Sequence, residues 1–207
     1  MMSREWNGER RLKKLATRRD EIERGELIVL REDACPLWWG DVCGMVWGKR
    51  NTPILVPLTN ARQRQTYYGA LNLLTREFHL QESVAGNGKT TVAYIEWWQT
   101  LYPDKKLLFL WDGASYHRGA ELQGFLMREN AGLPVADWKV TCMLFAPNAP
   151  EQNPTEDVWL KGKQYLRKHF AVNKTFIQGK RCFSEFLNSL SFTSAKLRWY
   201  WPEEQMI

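Results

Sequence analysis

Leu107-Leu108-Phe109-Leu110-Trp111-Asp112-Gly113-Ala114-Ser115-Tyr116-His117 opens with five apolar residues and stops on an acid. The run has no polar alternation, as expected of a central parallel strand covered on both faces. In open α/β sheets functional groups collect beyond the carboxyl ends of the strands, where Asp112 falls. Gly113 lets the chain turn away beside it, although an Asp-Gly pair is equally a turn former. A second stretch matters as much: Phe145-Ala146-Pro147-Asn148-Ala149-Pro150-Glu151-Gln152-Asn153-Pro154-Thr155-Glu156-Asp157-Val158-Trp159. It is a proline-rich loop that launches a helix with an acidic first turn. Asn153 suits an N-cap, Pro154 the first helical position and Glu156 the capping-box acid, so a capping role competes there with a chemical one.

Working outward, residues 27–30 read as a buried strand that ends near Glu32 and Asp33. Residues 44–47 and 54–56 read as short strands separated by a turn at 48–53. Residues 66–71 and 78–80 form a pair around a polar turn at Thr75. Helices are expected at 90–101, 120–129, 156–169 and 182–190, with a further strand at 139–145. The order is an antiparallel meander and then β-α-β-α-α. The expected fold class is therefore α/β, a mixed β-sheet in which the meander precedes parallel strands, with helices on both faces. A charged lead-in helix occupies residues 1–25 and stops at Gly25. The main domain spans 26–172, and a helical tail spans 173–207.

The 207 residues are 44% hydrophobic and 25% charged, the balance of a folded domain. The formal net charge of +6 favours polyanionic partners. No apolar run is long enough to cross a bilayer and the N-terminus lacks an apolar signal core, so no membrane role is expected. The expected location is cytoplasmic and nucleoid-associated. Cys35, Cys43, Cys142 and Cys182 are scattered, and with three histidines they form no zinc or disulfide pattern.

Asp33, Asp112 and Glu156 stand at three element ends that a mixed sheet can bring together. Magnesium prefers oxygen ligands and retains waters. Two such ions can activate a water or hydroxyl and stabilise the leaving oxygen at a phosphodiester. On the helix from Glu156, Trp159, Leu160, Lys163 and Arg167 follow at three- and four-residue steps, so Lys163 and Arg167 continue its face. They are candidate DNA phosphate contacts, as are Lys49, Arg50, Arg62 and Arg64. His117 is a candidate contact to the scissile region or a cap of the turn. The tryptophans are expected mostly in the core.

The motifs at 112–117 and 146–159, with Trp39-Gly40-Asp41-Val42-Cys43-Gly44-Met45-Val46-Trp47-Gly48 and residues 64–72, resemble the catalytic domain of the DDE transposases. More narrowly, they are similar to the insertion sequence 630 branch of the mariner superfamily. The resemblance implies an RNase H-like fold and a catalytic, metal-holding triad of Asp33, Asp112 and Glu156. It implies a two-metal site for Mg²⁺ or Mn²⁺, cleavage of insertion-sequence ends, and transfer of the 3′ hydroxyl to target DNA by a homodimer. The chain departs from the pattern at three points. Ala34 follows the first acid and Glu32 precedes it, so Glu32 or Asp33 can be the ligand; alternation with Trp39-Gly40-Asp41 favours Asp33. Pro36 stands where a polar residue is expected, so a damaged strand is expected there. No helix-turn-helix able to read DNA ends is evident; either a separate helix-turn-helix protein from an upstream reading frame supplies it, or the module is lost. The alternatives are a catalytically inactive DNA-binding remnant and an RNase H-like DNA nuclease.

Overall fold

The computed structural model describes residues 15–40, 48–52, 62–145 and 153–192. Among them, five strands make one sheet: β1 (Leu27–Trp38), β2 (Arg64–Asn72), β3 (Phe78–Ser83), β4 (Lys106–Trp111) and β5 (Val140–Leu144). Their order is β3-β2-β1-β4-β5. β1 pairs antiparallel with β2, and β2 with β3. β4 runs parallel to both β1 and β5. This is the mixed sheet expected from the sequence. The proposed strands at 44–47 and 54–56, Cys43 and most of the proline-rich loop lie outside the described residues.

Strand alternation divides the core in two. Leu27, Val29, Cys35 and Leu37 of β1 and Leu108 and Leu110 of β4 pack with Val158 and Trp159 of α4 (Thr155–Lys168) and with Phe183 and Leu187 of α5 (Phe176–Asn188). Ile28 and Leu30, with Leu107, Phe109 and Trp111, face the opposite way. They meet Tyr94, Ile95 and Trp98 of α2 (Gly88–Leu101), and Leu122 and Phe125 of α3 (Ala120–Glu129). β4 is buried throughout after Lys106, which explains its unbroken apolar run. α2 starts in a capping box between Asn87 and Thr90. The lead-in contributes α1 (Arg19–Glu23), closed at Gly25 with φ 64°. Leu15 and Ile22 join the same core as Leu27 and Val29.

Two expectations for β1 need correction. The strand does not end near Asp33; it continues to Trp38 because β2 keeps pairing with it, Asp33 opposite Gly69 and Trp38 opposite Arg64. Pro36 does not break it. The Trp39 N–H donates to the Gln63 carbonyl (2.9 Å), so odd-numbered residues of β1 bond β2 and the nitrogen of Pro36 faces the other way. On that side β4 pairs only as far as Arg31, so no ladder bond is lost. Cys35, Cys142 and Cys182 are free thiols.

Candidate active site

The register of β1 against β4 sets the first two acids. Leu27 pairs with Lys106 and Arg31 with Leu110. Continued for two residues, the same offset brings Asp33 level with Asp112. Alternation carries both toward the α4 side, after Val29 on one strand and Leu110 on the other. The third acid is set by the start of α4. Thr155 Oγ1 donates to the carbonyl of Arg31 (2.8 Å, buried), and Asn153 Oδ1 accepts from the Thr155 N–H (3.1 Å). This clamps the helix onto β1 two residues before Asp33, with Glu156 exposed in the first turn. Pro154, not Asn153, is the N-cap residue, and no side-chain cap bond forms from it.

The three carboxylates feel one another. Burial first, and then the charges of Asp112 and Glu156, together push the Asp33 carboxyl up from 3.8 to about 7. Asp112, more than half exposed, is held below its ordinary value by the His117 ring and by the Ala114 N–H, which donates to its Oδ1 (2.9 Å). Glu32 projects to the other face of β1, where it is fully buried. Its pKa is raised well above the usual range by that burial, then by Asp33 and Asp112.

Two supporting residues were not legible as such in the sequence. The Trp159 Nε1–H donates to Asp33 Oδ2 (3.1 Å), so the helix that carries Glu156 also orients the first acid. The ring lies over Gly69, Asp33's partner on β2, where a Cβ would collide with Trp159 and Phe78. The three-residue step from Glu156 to Trp159 was the available signal, since it puts both on one helix face. The other residue is Glu32, whose Oε2 lies 3.4 Å from His117 Nε2.

The remaining candidates scatter. Lys163 is half-buried in a small cleft with Trp38, Trp39 and Gly40, and Arg167 is half-buried further along α4. Lys49, Arg50 and Arg62 are exposed, and Arg64 lies over the Trp38 ring at 5.3 Å. The His117 side chain is only 2% exposed, which withdraws it from the surface that DNA would touch.

Among the described residues no three His, Cys, Asp or Glu side chains are gathered tightly enough to hold one ion. The donor set nevertheless fits a hard divalent cation. It is all carboxylate, partly open to water, and its mutual repulsion at Asp33 is what a bound cation would relieve.

A five-stranded mixed sheet with one acid inside β1, another just past the end of the neighbouring β4, and a third on a helix clamped against β1 is an RNase H-like fold. The chain belongs to the DDE superfamily endonucleases, whose family model matches residues 41–177. Asp112 and Glu156 lie inside that span and Asp33 just before it. The fold is similar to that of Mos1 transposase in a paired-end complex with the left transposon end: 11% identity, TM-score 0.57, covering 96% of this chain and 58% of that one. It is similar to the catalytic domain of Mos1 mariner transposase, at 11% identity, TM-score 0.51, 95% of this chain and 83% of that one. A simian T-cell lymphotropic virus intasome, in complex with PP2A regulatory subunit B56 gamma, matches at 8% identity, TM-score 0.53, 83% of this chain and 53% of that one. At these identities the likeness is one of fold. The chain spans 58% of the Mos1 chain in the paired-end complex. No curated protein sequence matches it. Among the described residues no helix is long and apolar enough to cross a membrane.

Proposed function

We propose that this chain is the catalytic part of a transposase of the mariner type, in the insertion sequence 630 branch. It cuts transposon ends and joins the 3′ hydroxyl to target DNA. The observation that carries the reading is the parallel β1–β4 register, paired as far as Arg31 with Leu110, whose offset continued by two residues would set Asp33 level with Asp112, while α4 is clamped beside β1 with Glu156 in its first turn. Asp33, Asp112 and Glu156 would hold Mg²⁺ or Mn²⁺; one Mos1 paired-end complex of this fold contains Mn. Bound there, the metal supplies charge for the attacking and leaving oxygens of a phosphodiester. The chain's own residues position. Trp159 orients Asp33, the Ala114 N–H orients Asp112, and the Thr155–Arg31 bond fixes the approach of Glu156. Lys163 and Arg167 on α4, with Lys49 and Arg50 on the exposed turn, would take DNA phosphates. A homodimer would pair two ends, and a separate helix-turn-helix protein would supply end recognition. Nucleoid association would follow from the bound DNA.

The test is Mg²⁺-dependent nicking of terminal-repeat DNA by the wild-type chain and by Asp112→Asn. Removing one group that stabilises charge in the transition state costs at least about 100-fold, and losing a metal ligand should cost more than about 1000-fold. Full activity in Asp112→Asn would end the proposal. A chain that binds DNA but gives no metal-binding heat is the inactive remnant, and cleavage without strand joining marks a nuclease.

A further inference from the structure

His117 belongs to neither core helix and sits just past the end of β4, beside the middle of β1. It follows β4 in a 3-10 turn, Ser115–Arg118, and its ring is stacked on Trp111 at 4.3 Å and 10°. Tyr116 closes on it edge-on at 4.5 Å and 74°. These two contacts fix the ring plane. Its nitrogens then face fixed partners. Nδ1 lies 3.2 Å from the backbone oxygen of Asp112 and 3.2 Å from its carboxylate Oδ1. Both partners are acceptors, so Nδ1 must carry the proton and donate. Nε2 lies 3.4 Å from Oε2 of Glu32, a polar contact longer than a well-formed hydrogen bond. Glu32 is fully buried and neither of its oxygens has a hydrogen-bond partner. The ring is a strut between a sealed acid on β1 and an open acid at the end of β4.

The open acid needs such a strut. The Asp112 side chain is 58% exposed and sits on a turn, whereas Asp33 is held inside the sheet by Trp159. The Ala114 N–H binds the same Oδ1 that His117 approaches, so the two donors fix one oxygen and leave the other, Oδ2, directed by geometry. A ligand whose rotamer is already set loses less freedom when it takes a cation, and partners of this kind typically tune affinity 10- to 100-fold.

We infer that His117 is a positioning residue: it donates through Nδ1 to Asp112 and presets that carboxylate for a divalent cation, with Trp111 and Glu32 holding its ring. The inference rests on the metal-holding role proposed for Asp112. It also replaces the direct DNA contact considered for His117, because a buried ring turned toward Asp112 has no surface to offer.

Mn²⁺ titration calorimetry on the full chain tests it, with the thermal midpoint of each variant measured beside it. His117→Asn keeps an amide donor near the Nδ1 position. His117→Gln moves the amide toward the Nε2 position and leaves Asp112 without that donor. Both variants lose the stack on Trp111 and should lose similar thermal stability. His117→Asn should stay within about 3-fold of wild-type Mn²⁺ affinity, while His117→Gln weakens about 10-fold. Equal affinities in both variants, or losses that simply follow the thermal midpoint, overturn the positioning role while leaving the metal reading intact. A wild-type chain that gives no Mn²⁺ heat overturns the metal reading, and the role of His117 with it.

Discussion

Glu32 and Asp33 are neighbours on β1 and carry the same functional group, yet they sit in different chemical worlds. Asp33 points toward α4, where Trp159 donates to it and the charges of Asp112 and Glu156 reach it. Glu32 points toward α2 and α3, where the Tyr68, Tyr94 and Trp111 rings line the core and His117 Nε2 lies 3.4 Å from its Oε2. In a strand a step of one residue reverses the face. A site built from three acids therefore needs the right register as much as the right residues. The α4 face gathers its acids beside solvent, whereas the α2–α3 face isolates one acid and uses it at most to hold a ring.

The largest effect on this contrast is expected from Gly69→Ala. A methyl group there meets Trp159 and Phe78, so the indole must leave Asp33 or the helix must shift. Overpacking of this kind costs about 1–3 kcal/mol. Urea unfolding measures it, and a loss under about 0.5 kcal/mol would mean that Trp159 is not tightly seated. Next, Trp159→Phe keeps an aromatic ring but removes the donor to Asp33. A hydrogen bond to a charged group is worth about 1.5–3 kcal/mol, so Mn²⁺ affinity should fall about 10-fold or more. Unchanged calorimetry would show that Asp33 needs no orientation by the indole.

A smaller effect concerns pH. The folded-state pKa of Asp33 is raised from 3.8 to about 7, so between those values the folded metal-free chain holds a proton that the unfolded chain releases. Stability must then fall as pH rises through that window. Asp33→Asn should flatten that part of the slope, and saturating Mg²⁺ should oppose the fall in the wild type. Thermal unfolding from pH 4 to 8 reads both, and identical slopes would contradict a carboxyl raised by burial and by its two acidic neighbours. The smallest effect is outside the acids: Lys163→Ala should weaken DNA binding by a few-fold at all sequences and reduce the salt slope by about one counterion.

Much of this was readable in the sequence, for identifiable reasons. The unbroken apolar run 107–111 gave a central parallel strand, and its terminal acid fell at the strand's carboxyl end. The α3 limits matched at 120–129 because Gly119 precedes the stretch as its N-cap and Leu122, Phe125 and Leu126 recur at helical spacing, which outweighs Gly124 inside it. The length of β1 was missed because Glu32 and Asp33 looked like a polar strand end, although they lie in its interior. Only the partner strand tells that β2 continues to pair beyond them. Pro36 looked harmful for a related reason, since nothing local says which edge its nitrogen faces. Trp159 counted as core, which it is, but its N–H has a second task that depends on the depth of Gly69. The pairing of His117 with Glu32 joins residues distant in sequence and had no local signal.

The most direct measurement compares two nearly identical changes one residue apart. Mn²⁺ calorimetry on Asp33→Asn and on Glu32→Gln removes one carboxylate from each face of β1 while keeping shape. If the α4 face holds the metals, Asp33→Asn abolishes measurable binding, and Glu32→Gln stays within about 5-fold of the wild type because it acts only through the His117 ring. The reverse order, with Glu32→Gln abolishing binding and Asp33→Asn tolerated, would contradict the account and make Glu32 the first ligand.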